Sequence, residues 1–155
     1  MEEFGKHYLY PGALFINKRA YYVTTILGSC VAVCIYDRRL KIGGINHYLL
    51  PLWNGDGLPS PKFGNIAIKQ LISKMRYFGS DEKDMVAKIF GGAAVLKSKK
   101  EVFFIGERNV KVAKETLAEA GIRIVAESTG GTQGRKIIFN TATGEVRQKY
   151  INSQK

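Results

Sequence analysis

The sequence predicts an α+β fold in which mixed β-sheets are covered by two main helices. Short apolar runs bounded by turn residues, which are typical of strands, dominate the first third and the end of the chain. In the middle, two segments carry apolar residues at spacings of three and four, as amphipathic helices do, and strands alternate with them. The length of 155 residues requires no second domain, so we expect residues 1–155 to form a single domain.

The first two predicted strands cover residues 31–36 and 42–50, which are mostly apolar. A short polar connection joins them and indicates a hairpin. With its turn centred just after Arg38, antiparallel pairing places Cys30 directly opposite His47. Cβ atoms of directly opposed residues are about 4.5–5.5 Å apart, so a thiol and an imidazole placed there can share a proton.

The rest of the chain divides into a loop, two helices and further strands. Residues 51–61 hold three of the four prolines and are predicted to form a loop. A helix is predicted over 63–78, where Gly79 follows, and a second over about 107–120, where Gly121 follows. Further strands are predicted at residues 85–90, 102–105, 122–126, 136–140 and 145–151.

The charge and the cysteine content narrow the classes of partner and of chemistry. A formal net charge of +11 favours an acidic partner, and a solvated basic surface that only keeps the protein soluble is the alternative interpretation. An acidic protein partner would be attracted by this charge, so that association would depend on salt. Nucleic acid is not predicted, because the basic residues are scattered and form no tract interleaved with aromatic residues. Without an apolar run long enough to cross a membrane or a secretion signal, we expect a cytoplasmic protein in which both cysteines are reduced.

Cys30 and His47 are the candidate nucleophile and base. A thiolate beside an imidazolium is stabilised by the opposite charge, so the pair can attack at neutral pH. Gly28 and Ser29 directly precede the thiol, where a bend would leave backbone N–H groups free to stabilise an oxyanion. Such a pair needs a third group that orients the ring; Thr24 can do this through its hydroxyl or carbonyl, and the neighbouring Thr25 is an alternative.

The second cysteine argues against a disulfide and against a metal centre. Cys34 lies four residues beyond Cys30, about 13 Å away along a strand at about 3.3 Å per residue. A disulfide between them is therefore excluded there, and so is a zinc site built from both cysteines and both histidines. We expect Cys34 to belong to the core and His7 to have a packing or surface role.

Several motifs together are similar to one known family. They are the segments 27–33 (LGSCVAV), 46–51 (NHYLLP), 90–93 (FGGA), 105–109 (IGERN) and 129–131 (TGG) with 134–135 (GR). In order and spacing they resemble the CheD family of chemoreceptor glutamine deamidases over about residues 10–151. The resemblance implies a three-layer α/β/β sandwich and a catalytic triad of Cys30, His47 and Thr24. It also implies that Gly28, Ser29 and Phe63 form the oxyanion and substrate-binding region.

The function implied by this resemblance is hydrolysis of glutamine side chains to glutamate on the cytoplasmic helices of chemoreceptors. Neither a metal nor an organic cofactor is expected. Hydrolysis of glutamyl methyl esters is implied as a side activity, and a CheC-type phosphatase as a partner where the organism has one. Two other classes remain open on the residues alone: a thiol peptidase with the same triad, and a non-catalytic regulator of the chemotaxis machinery with a basic surface and a structural Cys30. A thiol redox sensor is disfavoured because no resolving cysteine lies near.

Overall fold

The computed structural model describes residues 3–94 and 100–151. Within these ranges the chain forms nine strands and two α-helices, with a short 3-10 helix at Glu82–Asp84. In chain order the elements are β1 (Gly5–Tyr8), β2 (Leu14–Asn17), β3 (Tyr21–Leu27), β4 (Val31–Asp37), β5 (Ile42–Asn46), α1 (Gly64–Tyr77), β6 (Met85–Gly91), α2 (Lys100–Glu119), β7 (Arg123–Thr129), β8 (Gly134–Asn140) and β9 (Val146–Ile151).

The strands form two mixed sheets. One has the order β2-β5-β4-β6-β7, in which only β6 and β7 pair in parallel. The other has the order β1-β3-β8-β9, in which only β1 and β3 pair in parallel. Helices α1 and α2 pack on one face of the five-stranded sheet, and the four-stranded sheet packs on its other face. The predicted α+β class and the three-layer α/β/β sandwich are confirmed.

Strand β4 explains why the apolar run after Cys30 is continuous, because both of its faces are buried. Val31, Val33 and Ile35 share a core with the two helices. Ala32 and Cys34 point the other way, into the core between the two sheets. Strands buried on both faces lose the alternation of apolar and polar residues that a half-exposed strand shows. Cys34 is therefore a core residue, as expected.

One predicted strand is wrong. Residues 102–105 belong to the first turns of α2 and not to a strand. Branched and aromatic residues at positions 102–105 are typical of a strand. Gly106 instead lies inside the helix at a point of close contact: a Cβ atom there would lie 2.5 Å from the carbonyl oxygen of Gly92. Tertiary packing thus requires a glycine in the helix interior, where glycine is otherwise disfavoured.

The predicted hairpin between β4 and β5 exists, but its register differs by one position on each strand. Both side-chain oxygens of Asp37 are used: Oδ1 accepts hydrogen bonds from the N–H groups of Arg39 and Leu40, and Oδ2 accepts one from Ser80. These bonds keep Asp37 inside β4, so the turn begins one residue later than predicted. Strand β5 also ends at Asn46, earlier than expected.

Candidate active site

Cys30 follows a bend at residues 28–29 between β3 and β4, as the sequence predicted. Two backbone hydrogen bonds hold this bend against the end of β6. The N–H of Gly92 donates to the carbonyl of Cys30 at 2.9 Å, and the N–H of Ala93 donates to the carbonyl of Gly28 at 2.9 Å. The thiol itself is half-buried at the edge of the core between the sheets. The backbone around the candidate nucleophile is therefore fixed on the β6 side.

His47 comes directly after β5, and only 2% of its surface is exposed. Its N–H donates to the carbonyl of Ala13 at 3.1 Å, and its carbonyl accepts from the N–H of Gly12 at 2.7 Å. These bonds hold its backbone to the segment that enters β2. Its side chain lies on the same face of the five-stranded sheet as Ile45, which is the face toward the four-stranded sheet.

Thr25 orients the imidazole of His47 across the gap between the sheets. Its Oγ1 lies 2.7 Å from Nδ1 of His47 and also donates to the carbonyl of Leu9 at 2.7 Å. A threonine hydroxyl has only one proton, and a carbonyl can only accept. The hydroxyl therefore accepts a hydrogen bond from the Nδ1–H of His47, which leaves the lone pair of the neutral ring on Nε2. This Nε2 is buried and has no hydrogen-bond partner in the described part of the chain.

The structure corrects the expectation for Thr24. Side chains alternate along β3, and those of Val23, Thr25 and Leu27 are buried toward the other sheet. Thr24 points the opposite way and lines a cavity of about 680 Å³ on the outer face of the four-stranded sheet. Its carbonyl accepts the N–H of Leu9 at 2.8 Å and does not bond to the ring of His47, since Nδ1 contacts Thr25 and Nε2 has no partner in the described residues. Thr25, the alternative in the sequence analysis, makes the contact that was assigned to Thr24.

Cys30 and His47 lie diagonally across from each other rather than directly opposite. An isolated antiparallel bridge pairs Val31 with Tyr48, so each of the two candidate residues comes immediately before one member of that pair. Both side chains therefore project to the same face. Diagonal neighbours have Cα atoms about 7–8 Å apart and stay within reach of a long or aromatic side chain.

Burial keeps both groups neutral in the free protein. It lowers the pKa of His47 from 6.5 to about 4. It also raises the pKa of the Cys30 thiol, although the N–H of the same residue partly offsets this effect. Charged forms are disfavoured when a group is removed from water. Both shifts favour the neutral forms, a thiol and a neutral imidazole, over the ion pair that the sequence analysis considered.

The other predicted site residues lie in two places. Ser29 and Gly28 form the bend, and the carbonyls of both are used in hydrogen bonds to neighbouring elements. Phe63 precedes the first residue of α1 and lines a cavity of about 500 Å³ together with Leu50 and Arg108. Gly28 and Ser29 thus lie directly before the candidate nucleophile, and Phe63 lies in a separate surface cavity.

Two contributors were not identified as site residues from the sequence. The carbonyl of Leu9 fixes the hydroxyl of Thr25, but any residue supplies a backbone carbonyl, so no sequence signal exists for it. Asn109 on α2 is fully buried, and its Nδ2 donates to the carbonyl of Ser29 at 2.9 Å and to that of Leu49 at 3.0 Å. Its place in one of the family-like motifs was the available signal.

No group of three or more His, Cys, Asp or Glu side chains with the geometry of a metal site occurs among the side chains described, those of residues 3–94 and 104–151. No helix in these ranges has the length and apolar character needed to span a membrane.

Comparisons with a family model and with known proteins find the same family over most of the chain. A family model described as CheD chemotactic sensory transduction matches residues 49–150. A protein of Sulfurimonas denitrificans named "Probable chemoreceptor glutamine deamidase CheD" is 49% identical over 150 residues, which are 96% of this chain and 96% of that protein. Proteins with the same name from Trichlorobacter lovleyi and Rhodospirillum rubrum are 48% and 43% identical and cover 91% and 96% of this chain, with 88% and 84% of their own lengths aligned. This chain belongs to the CheD family.

Proposed function

We propose that this protein is a chemoreceptor glutamine deamidase, which hydrolyses specific glutamine side chains on the cytoplasmic helices of chemoreceptors to glutamate. The observation that carries the proposal is the orientation of His47: Thr25 holds Nδ1, and Nε2 is left as a free base on the face that carries Cys30. Membership of a family whose relatives bear this name supports the choice of substrate.

The first half of the reaction forms a thioester. Sγ of Cys30 attacks the carbon of the glutamine carboxamide while Nε2 of His47 accepts the thiol proton. The carboxamide oxygen gains negative charge, and backbone N–H groups at the bend near Cys30 stabilise it. The imidazolium then protonates the nitrogen, the C–N bond breaks, and ammonia leaves. Thr25 keeps the ring in the orientation and tautomer that both proton transfers require.

The second half of the reaction restores the enzyme. Nε2 of His47 takes a proton from water, the oxygen attacks the thioester carbon, and the C–S bond breaks with return of the proton to sulfur. The product is a carboxylic acid that loses its proton near pH 7, and ammonia takes up a proton to become ammonium. Each turnover therefore consumes one water, releases one ammonium ion and adds one negative charge to the receptor. A glutamyl methyl ester gives the same thioester with methanol as the leaving group, which makes methylesterase activity part of the proposal.

The proposal is tested with a purified receptor signalling domain that is incubated with the wild type, Cys30→Ala or His47→Gln. Conversion of glutamine to glutamate raises the mass of a peptide by about one dalton and leaves the chain intact, as hydrolysis of a side-chain amide requires. We expect this change with the wild type and neither variant, while circular dichroism shows that both variants are folded. An unmodified receptor after incubation with the wild type would refute the proposal.

The same experiment separates the other two classes. A thiol peptidase would cut the receptor fragment in two and lose this activity with Cys30. A non-catalytic regulator would leave every peptide mass unchanged, and its cellular effect would survive Cys30→Ala. A CheC-type phosphatase as partner, which the family resemblance implies, is tested by adding that protein and measuring the deamidation rate.

A further inference from the structure

We propose that Asn109 is a positioning residue for the proposed deamidation, because its amide holds the Ser29–Cys30 peptide so that the N–H of Cys30 faces the developing oxyanion. This inference rests on the proposed function and concerns a residue outside the predicted triad. It starts from the two hydrogen bonds that the Nδ2 of Asn109 makes, one to each side of the site.

The amide of Asn109 connects the two chain segments that carry the candidate nucleophile and base. Its Nδ2 donates to the carbonyl of Ser29, the residue before the thiol, at 2.9 Å. It also donates to the carbonyl of Leu49, two residues after the imidazole, at 3.0 Å. A third bond adds to these, since the hydroxyl of Tyr48 donates to the carbonyl of Asn109 at 2.6 Å. One helical residue therefore sets the spacing of both segments.

Peptide geometry carries the effect from the Ser29 carbonyl to the Cys30 amide. The C=O of Ser29 and the N–H of Cys30 belong to one planar unit, and all described peptide bonds are trans. In such a unit the two groups point in opposite directions, so fixing the carbonyl toward α2 directs the N–H away from α2. A rotation of this peptide would remove the donor from the reacting oxygen.

The N–H of Cys30 is available for this task. No backbone carbonyl in residues 3–94 and 100–151, and no side chain in residues 3–94 and 104–151, accepts a hydrogen bond from it. It lies close enough to the sulfur of the same residue to lower the pKa of that thiol in part, against the larger effect of burial. A donor beside the attacking sulfur is also beside the carbon that the sulfur attacks, and therefore beside the oxygen that becomes charged.

Helix α2 is held firmly enough to act as the support for this peptide. Gly106 and Gly92 are in such close contact that a Cβ atom on Gly106 would lie 2.5 Å from the carbonyl oxygen of Gly92. The N–H of Gly92 in turn donates to the carbonyl of Cys30. The peptides on both sides of the Cys30 Cα are thus fixed by hydrogen bonds, one from α2 and one from the end of β6.

Fold stability alone does not account for an asparagine at this position. The Oδ1 of Asn109 is buried and has no partner in the part of the chain that the structure describes. A buried acceptor without a partner destabilises the native state. An amide is nevertheless the group that supplies two donors from one nitrogen, and the isosteric aspartate would place an oxygen against two carbonyl oxygens.

The test compares Asn109→Ala and Asn109→Ser with the wild type in two assays. Deamidation of the receptor domain gives kcat and KM, and alkylation of Cys30 by iodoacetamide reports the thiol without involving an oxyanion. We expect Asn109→Ala to lower kcat by about tenfold to hundredfold, because loss of one oxyanion donor costs about a hundredfold to a thousandfold and this change only misplaces it. We expect KM to stay within about threefold of the wild type and the alkylation rate to fall much less than kcat, because the N–H has the smaller effect on the thiol pKa. Asn109→Ser, which retains one donor, should give a kcat between those of the wild type and Asn109→Ala.

Asn140→Ala is the matched control. Asn140 is a buried asparagine at the C-terminal end of β8, and its Oδ1 accepts a hydrogen bond from the N–H of Ala142 in the following turn. We expect it to keep the wild-type kcat. A wild-type kcat in Asn109→Ala would overturn the proposal, and so would a loss of alkylation equal to the loss of kcat, or failure of both Asn109 variants to fold. A wild type without deamidase activity would instead refute the proposed function itself.

Discussion

Oγ1 of Thr25 lies 2.7 Å from Nδ1 of His47, and through this hydrogen bond the four-stranded sheet orients a histidine that belongs to the five-stranded sheet. The hydroxyl proton is already donated to the carbonyl of Leu9. The Nδ1–H of His47 is therefore the donor and the hydroxyl of Thr25 the acceptor. This hydrogen bond leaves the lone pair of the ring on Nε2, the nitrogen proposed as the base.

Thr25→Val tests this relationship because it removes the hydroxyl and keeps the volume. We expect kcat/KM for receptor deamidation to fall by about tenfold to hundredfold, since the ring loses the group that sets its tautomer and orientation. Thr25→Ser keeps the hydroxyl and should stay within about threefold of the wild type. Thr24→Val is the matched control on the outer face of β3, and a larger loss in it than in Thr25→Val would contradict the assignment.

The low pKa of His47 predicts a pH dependence of stability. The folded-state pKa of about 4 lies below the ordinary value of 6.5, so between these values the unfolded chain binds a proton that the native state does not. The free energy of unfolding should therefore fall as the pH is lowered from about 6.5 to 4, by on the order of 3 kcal/mol from this residue. Urea unfolding of the wild type and of His47→Gln across this range measures the difference, and equal slopes in the two proteins would contradict it.

Gly91 is predicted to be required for the backbone contact beneath the thiol. Its φ is +111°, and a Cβ atom there would lie 2.2 Å from the carbonyl oxygen of Cys30. We expect Gly91→Ala to lower the free energy of unfolding by about 3 kcal/mol or more, because strain and a backbone clash act together. Gly121→Ala is the control: its φ is +73° with open space around it, so a loss of about 1 kcal/mol is expected. Urea unfolding compares them, and equal losses would argue against the clash.

Arg135 is predicted to stabilise the glycine segments beside the site through its guanidinium geometry. It is 3% exposed, and it donates to the carbonyl of Gly130 at 2.9 Å and to that of Gly91 at 3.4 Å. A lysine cannot reproduce a planar fork of donors, so Arg135→Lys should cost about 1–3 kcal/mol in unfolding free energy. Arg147→Lys, an exposed change on β9, should have an effect within about 0.5 kcal/mol. The denaturant midpoints of the two variants measure this difference in unfolding free energy.

The layered arrangement and the candidate pair could be predicted because they depend on local patterns. Periodicity of apolar residues predicted α1 and most strands, and the parity of the β4–β5 hairpin placed Cys30 and His47 on one face even though the register was shifted. That shift arises from Asp37, whose carboxylate accepts two turn N–H groups and delays the turn. A side chain that bonds to the backbone in this way changes a register without changing the apolar pattern.

The remaining features depend on contacts between elements that are distant in the sequence. The choice between Thr24 and Thr25 required the boundaries of β3, and therefore which side chain faces the other sheet. The first turns of α2 contain the branched and aromatic residues that are typical of a strand. The close contact between Gly92 and Gly106, which joins this helix to the end of β6, is not visible in the sequence. Strands β1 and β2 are only four residues long, too short for their periodicity to stand out.

The contact between Thr25 and His47 also has a consequence for how this protein loses activity. In the proposed mechanism neither layer of strands holds a complete set of reacting and orienting groups, because the hydroxyl comes from one layer and the ring from the other. If the two layers drift apart while each remains internally ordered, turnover should cease before the secondary structure melts. The rate of turnover would then report how closely the two sheets pack.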